Sequence, residues 1–277
     1  MASLISRNYG GGVLEDAGNL NGTNGFTRKL FRYRSEGLDL YGFINIPDGD
    51  GPFPVVVMAH GYIDPAEFST LDYSVRYSDA LTESGYIAIH PNLRGYSPSE
   101  DGDNLLGIGD VVDVLNLIAL VRQQAGSEGL LKTADAERIG VWGHSMGGAI
   151  VTRVLIADSD IKAGLLYAAI NTDESINLSH FEKDGRGGEK IEVSREVLNQ
   201  ISPKNYLDRI NVPIAVFHGG LDEVVPVSWS RNLCVMLEEM DKNVTCREYA
   251  DGAHTFQNGR DTQFKAEMIA FYNDHLK

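Results

Sequence analysis

Ser145 sits between two glycines in Gly143-His144-Ser145-Met146-Gly147, and Gly148 follows. The apolar stretch Ile139-Gly140-Val141-Trp142 precedes this pentapeptide, and Ala149, Ile150, Val154, Leu155 and Ile156 recur after it at helical spacing. That order predicts a buried strand, a sharp turn and a helix. A serine at such a turn is held in a strained conformation, and its neighbours two positions away must lack side chains that would collide with strand and helix. Its hydroxyl then stands above the sheet edge, with the first helical N–H groups aimed where negative charge would form. The chemistry this suits is attack on a carbonyl carbon.

A serine hydroxyl is a weak nucleophile at neutral pH and needs a base within hydrogen-bond reach. His254 is the candidate: Ala250-Asp251-Gly252-Ala253-His254 follows the last predicted strand, and the small neighbours leave an imidazole room to move. Asp222, behind Gly219-Gly220 at the end of the apolar run 213–218, is the candidate for fixing the imidazole tautomer. Glu223 ranks below it, because a neighbour points away when Asp222 points in. Each of the three follows a predicted strand, in the chain order serine, aspartate, histidine that accompanies this kind of turn. His60-Gly61-Tyr62 ends the buried run 55–59, so the backbone amides of Tyr62 and Met146 are the candidate oxyanion hole. His180 reads as a surface or lid residue, while Arg94 and Tyr96 read as packing or capping residues outside the site. No metal or cofactor is expected. The cysteines lack metal-ligand spacing, the glycine turn lacks a phosphate-loop lysine, and no dinucleotide fingerprint follows the first buried strand.

The elements that would position these residues alternate strand and helix. Residues 27–35 and 38–46 alternate apolar and polar around Glu36-Gly37 and predict an antiparallel hairpin. The continuous apolar run at 55–59 predicts a strand buried on both faces, 213–218 predicts another buried strand, and 87–89 and 163–170 predict further strands. Helices are expected at 72–84, 107–124, 229–240 and 262–276, with a last strand at 244–249. The polar, glycine-broken stretch 171–200 is too long for an ordinary connection and predicts a small cap or lid over the serine. Residues 1–25, rich in glycine and asparagine without periodicity, predict a loosely held arm ahead of one α/β domain over 26–277.

With 277 residues and 43% apolar content, the chain can bury one large core. A net charge of −15 disfavours nucleic acid and anionic membrane as partners. No apolar run approaches a bilayer span and the N-terminus lacks a secretory pattern, so the expected location is the cytoplasm. Cys234 and Cys246 are the only cysteines; one falls in a predicted helix and the other in a predicted strand, so two free thiols are expected. Self-association into a homodimer stays open.

From residue 38 to the C-terminus the chain resembles the α/β-hydrolase superfamily, within it the prolyl oligopeptidase and dienelactone hydrolase-like branches. The resemblance is carried by Val55-Val56-Val57-Met58-Ala59-His60-Gly61, Asn92-Leu93-Arg94-Gly95-Tyr96-Ser97, Arg138-Ile139-Gly140-Val141-Trp142-Gly143-His144-Ser145-Met146-Gly147-Gly148, Ser202-Pro203-Lys204-Asn205-Tyr206-Leu207, Asp222-Glu223-Val224-Val225-Pro226 and Ala253-His254-Thr255-Phe256. It implies an eight-stranded, mostly parallel sheet flanked by helices and a triad of Ser145, Asp222 and His254. Two departures narrow it. Only a short arm stands where oligopeptidases carry a β-propeller, and serine stands where dienelactone hydrolases use cysteine. Both favour a carboxylesterase acting on small to medium acyl or aryl esters. A compact aminopeptidase or acylpeptide hydrolase is the alternative, and a non-catalytic binding protein on the same fold is a third reading.

Overall fold

Side chains of a strand alternate between the two faces of its sheet, so a strand that is apolar at every position must be covered on both sides. The computed structural model describes residues 1–20, 25–183 and 192–277 and shows that arrangement. The strands are β1 (Glu15–Asn19), β2 (Phe26–Ser35), β3 (Leu38–Pro47), β4 (Phe53–Ala59), β5 (Ile87–Pro91), β6 (Ala134–His144), β7 (Ala163–Tyr167), β8 (Ile214–Gly219) and β9 (Val244–Tyr249). Among the described residues they form one nine-stranded sheet in the order β1-β2-β3-β5-β4-β6-β7-β8-β9. The β1/β2, β2/β3 and β3/β5 pairs are antiparallel, and the rest of the sheet is parallel.

The helices are α1 (Ala2–Ser6), α2 (Val75–Glu83), α3 (Ile108–Gln124), α4 (Met146–Ala157), α5 (Glu174–Lys183), α6 (Arg195–Ile201), α7 (Val227–Glu239) and α8 (Asn258–Leu276). Val55, Val57 and Ala59 of β4 pack with Val114, Ile118 and Val121 of α3 and with Ile150 and Val154 of α4. Val56 and Met58, the alternate residues, face Tyr77 and Leu81 of α2 and Phe264 and Met268 of α8. Burying side chains of this size contributes roughly 1.5–3 kcal/mol each, and the two layers clamp the strands whose C-terminal ends carry the candidate residues.

Three expectations are corrected. The sheet has nine strands rather than eight, because β1 lies within the stretch read as a loose arm. Its residues are almost all exposed, so it leaves no hydrophobic alternation to read. It is held by backbone pairing to β2 and by the ion pairs Glu15–Arg32 and Asp16–Lys29. Part of the same arm is ordered by α1, where Met1 and Leu4 are buried. The third correction concerns the cysteines: Cys234 of α7 and Cys246 of β9 form a disulfide, with Cα atoms 6.3 Å apart. Placement on a helix and a strand weighed against a bond, but α7 is the crossover between the parallel pair β8 and β9 and packs back against it. Of the expected cap, residues 192–200 and the segment up to 183 are described; Gly185, Gly187, Gly188 and Ile191 lie outside the described residues.

Candidate active site

Ser145 joins β6 to α4 with φ 55° and ψ −116°, outside the conformations ordinary residues prefer. Three backbone hydrogen bonds hold it there. Ser145 N–H donates to the Tyr167 carbonyl at 2.9 Å, and the Ser145 carbonyl accepts from Gly148 at 3.0 Å and Ile170 at 3.3 Å. The glycines are sterically required. A Cβ on Gly143 would lie 2.2 Å from the Gly147 carbonyl oxygen, and one on Gly147 would lie 2.0 Å from that of Ala59. Ser145 is only 7% exposed, so its hydroxyl opens onto a confined space.

The structure brings Asp222 and His254 together. His254 Nδ1 lies 2.7 Å from Asp222 Oδ2. The carboxylate can only accept, so Nδ1 carries the proton and Nε2 is left as a base. Oδ1 of Asp222 accepts from the Val224 and Val225 amides at 2.8 Å each. A third group was not foreseen: His218 Nε2 lies 3.0 Å from Asp222 Oδ2, with its Nδ1 2.7 Å from Ser230 Oγ. His218 was read only as the last residue of a buried strand, and its place four residues before Asp222, with a glycine pair between, was the one available signal. Burial alone would raise the Asp222 pKa, but the hydrogen bonds from His218 and His254 hold its carboxyl well below the usual carboxylate range.

The His254 ring lies 4.6 Å from the ring of His144, centroid to centroid, which brings it beside the residue preceding Ser145. Among the described residues no hydrogen bond closes between the Ser145 hydroxyl and the imidazole. Such bonds are often long before substrate binds. The Tyr62 and Met146 amides likewise donate to no other group among the described residues, which leaves them available to an oxygen in front of Ser145. Gly61 is what lets the β4 turn come so close. A Cβ there would stand 3.1 Å from Ser145 Cβ and 3.0 Å from Tyr73 Oη.

The residues set aside stand outside this cluster. Arg94 is spent on a bidentate pair with Asp113, 2.7 Å on each arm, and Tyr96 packs edge-on against His60. Glu223 is exposed beside buried Asp222. His180 Nε2 lies 3.1 Å from the Val224 carbonyl, so α5 packs beside the Asp222 loop, with His180 against Trp229.

The profile of the prolyl oligopeptidase family matches residues 73–277. The chain belongs to the prolyl oligopeptidase family. Relatives of this family member carry both esterase and peptidase names. It is 26% identical over 194 residues to a putative esterase, YitV, of Bacillus subtilis, covering 64% of this chain and 72% of the relative. Among solved structures it resembles a puromycin-hydrolyzing peptidase of Mycobacterium tuberculosis at a TM-score of 0.74 and 20% identity, covering 92% of this chain and 40% of that one. It also resembles the Pyrococcus furiosus esterase Pf2001 at a TM-score of 0.68 and 18% identity, over 98% of this chain and 100% of the other. The chain spans 63% of the length of two further curated relatives. These likenesses show the α/β-hydrolase fold. Among the described residues no helix is long and apolar enough to cross a membrane.

Proposed function

We propose that this chain is a serine hydrolase of carboxylic esters, with Ser145 as nucleophile, His254 as general base, Asp222 as its orienting acid, and the Tyr62 and Met146 amides as oxyanion hole. One observation carries the reading. An imidazole whose Nδ1–H is fixed on a buried carboxylate packs against His144, the residue just before a serine at a strained strand-to-helix turn. In the first step Ser145 Oγ bonds to the ester carbonyl carbon while its proton passes to His254 Nε2, and the carbonyl oxygen takes the electron pair toward the two amides. Collapse breaks the bond to the alcohol, which leaves with the proton from His254 and gives an acyl-serine. Water, deprotonated by the same Nε2, then attacks the acyl carbon and releases the acid and Ser145. Each oxyanion amide would lower the barrier by about 3 kcal/mol.

An ester substrate is supported by the likeness to YitV, a putative esterase, and to the esterase Pf2001. Helix α5, within the 171–200 segment, packs beside the Asp222 loop through His180, which supports reading that segment as a cap that would restrict the acyl or aryl group. A small-molecule ester is the proposed partner. The bonded cysteine pair favours an oxidising compartment over the cytoplasm, since cytosolic thiols are kept reduced.

A fluorophosphonate probe should label wild type and leave Ser145→Ala unlabelled, and Ser145→Ala should lose roughly 10⁶-fold in kcat on nitrophenyl esters. Persistent turnover in Ser145→Ala would overturn the assignment. The second reading, a compact aminopeptidase or acylpeptide hydrolase, draws on the likeness to the mycobacterial peptidase. Amino-acid anilides assayed beside the esters decide between the two.

A further inference from the structure

Behind Ser145, three hydrogen bonds run in series between the two loops that flank it. The Gly61 amide lies 2.9 Å from Tyr73 Oη, Tyr73 Oη lies 2.6 Å from His144 Nδ1, and His144 Nε2 lies 3.0 Å from the His254 carbonyl oxygen. The chemistry of the two ends fixes every proton between them. A peptide N–H can only donate and a peptide carbonyl can only accept. His144 Nε2 must therefore carry hydrogen, Nδ1 must accept, and the Tyr73 hydroxyl must donate to it while accepting from Gly61. This arrangement is uncharged. It does not titrate in the working range, because burial first, and the neighbouring His254 second, push the His144 pKa down to about 3, and burial pushes the Tyr73 phenol far up.

The row joins the turn that carries the Tyr62 amide, the turn that carries Ser145, and the loop that carries His254. Its middle member is packed from several sides: the His144 ring lies 4.4 Å from Tyr167, 4.6 Å from His254 and 5.3 Å from Tyr73, centroid to centroid. We infer that Tyr73 and His144 are positioning residues, which set the oxyanion amide of Tyr62 and the imidazole of His254 at matched distances from Ser145. Neither touches the reacting atoms. The inference rests on the serine hydrolase reading above and adds to it that the position between Gly143 and Ser145 is a polar strut.

Tyr73→Phe removes one oxygen at nearly constant shape and leaves the Gly61 amide and His144 Nδ1 unpartnered. It should lower kcat by roughly 10- to 100-fold with KM within about twofold, because a displacement of about an ångström far from the bond being broken has that effect. In His144→Gln the amide oxygen and nitrogen can replace the two ring nitrogens, so kcat should stay within about threefold of wild type. His144→Leu replaces neither and should match Tyr73→Phe, and the double variant Tyr73→Phe with His144→Leu should fall no further than His144→Leu alone. All are compared with wild type and Ser145→Ala on one nitrophenyl ester, with thermal melts measured alongside. Turnover that survives Ser145→Ala sinks the hydrolase reading. If turnover is abolished by Ser145→Ala but untouched by Tyr73→Phe, the strut alone is sunk. It is equally overturned if His144→Gln is as impaired as His144→Leu, or if lost activity follows the fraction unfolded at the assay temperature. One further readout needs no turnover: in ¹⁵N-histidine spectra His144 should hold the Nε2–H tautomer from pH 5 to 9, and the opposite tautomer would overturn the proton arrangement.

Discussion

Two aspartates with buried side chains in this protein have their pKa values pushed in opposite directions. The Asp222 side chain is fully buried and is met by two backbone amides, by His254 and by His218, whose Nε2–H it shares with the Val225 carbonyl, and its carboxyl is held well below the usual carboxylate range. Asp110, at the start of α3, is 1% exposed and accepts one side-chain hydrogen bond, from Asn104 at 2.8 Å, while its other oxygen has no partner among the described residues. Burial raises its pKa to about 7, and the single bond from Asn104 offsets only part of that. Withdrawal from water acts on both groups, so the number of donors decides which stays charged. Only the first can serve a neighbouring imidazole through the working pH range.

Asp222→Asn is the strongest challenge to this contrast. An amide at position 222 cannot accept from both imidazoles as a carboxylate does, and it turns His254 to the wrong tautomer, so kcat should fall about 10⁴-fold while the fold persists. Esterase kinetics with a melt in parallel measure both; a loss below tenfold would show that Asp222 does not orient His254. His218→Leu removes one charge-assisted bond to the carboxylate. The bond contributes on the order of 1.5–3 kcal/mol, and if a part of that is felt at His254 the loss in kcat should be roughly tenfold. An unchanged rate would mean that His218 only packs.

The smallest effect belongs to the other aspartate. A carboxyl whose folded pKa is raised keeps its proton while the unfolded chain gives it up, so stability falls as pH rises from the ordinary aspartate range toward about 7 and then levels off. Asp222, with its pKa depressed, has the opposite sign: its contribution is present at neutral pH and is lost only in strong acid. Asp110→Asn should therefore melt above wild type by a margin that widens from about pH 4 to about pH 7 and is then constant, with activity retained. Melting curves across that interval check it, and a constant gap between the two proteins would refute it.

Much of this site is written in short-range patterns. Glycine on both sides of Ser145, a run apolar at every position before it, and small residues around His254 each state a local steric or periodic requirement. The structure meets them with positive φ at Ser145, burial of β4 on both faces, and the Asp222–His254 contact. What escaped depends on pairings across the chain. A sequence separation of 71 between Tyr73 and His144 hides a 2.6 Å contact. The cysteine bond exists because a crossover helix folds back on its own sheet. Strand β1 is chosen by the ladder and charges that β2 offers, with no hydrophobic periodicity of its own. His144 was visible only as the variable letter of a motif, and nothing local says that its two nitrogens face different loops.

The tight approach of Gly147 to the Ala59 carbonyl has a consequence for how this protein can change. The turn holding the nucleophile rests directly on the strand end from which the Tyr62 amide emerges. Any shift of one is transmitted to the other as a rigid push, since no side chain lies between them to absorb it. New substrates would therefore be accommodated by altering the outer loops and the 171–200 segment, while the attacking oxygen and the amide awaiting its charge keep a common spacing.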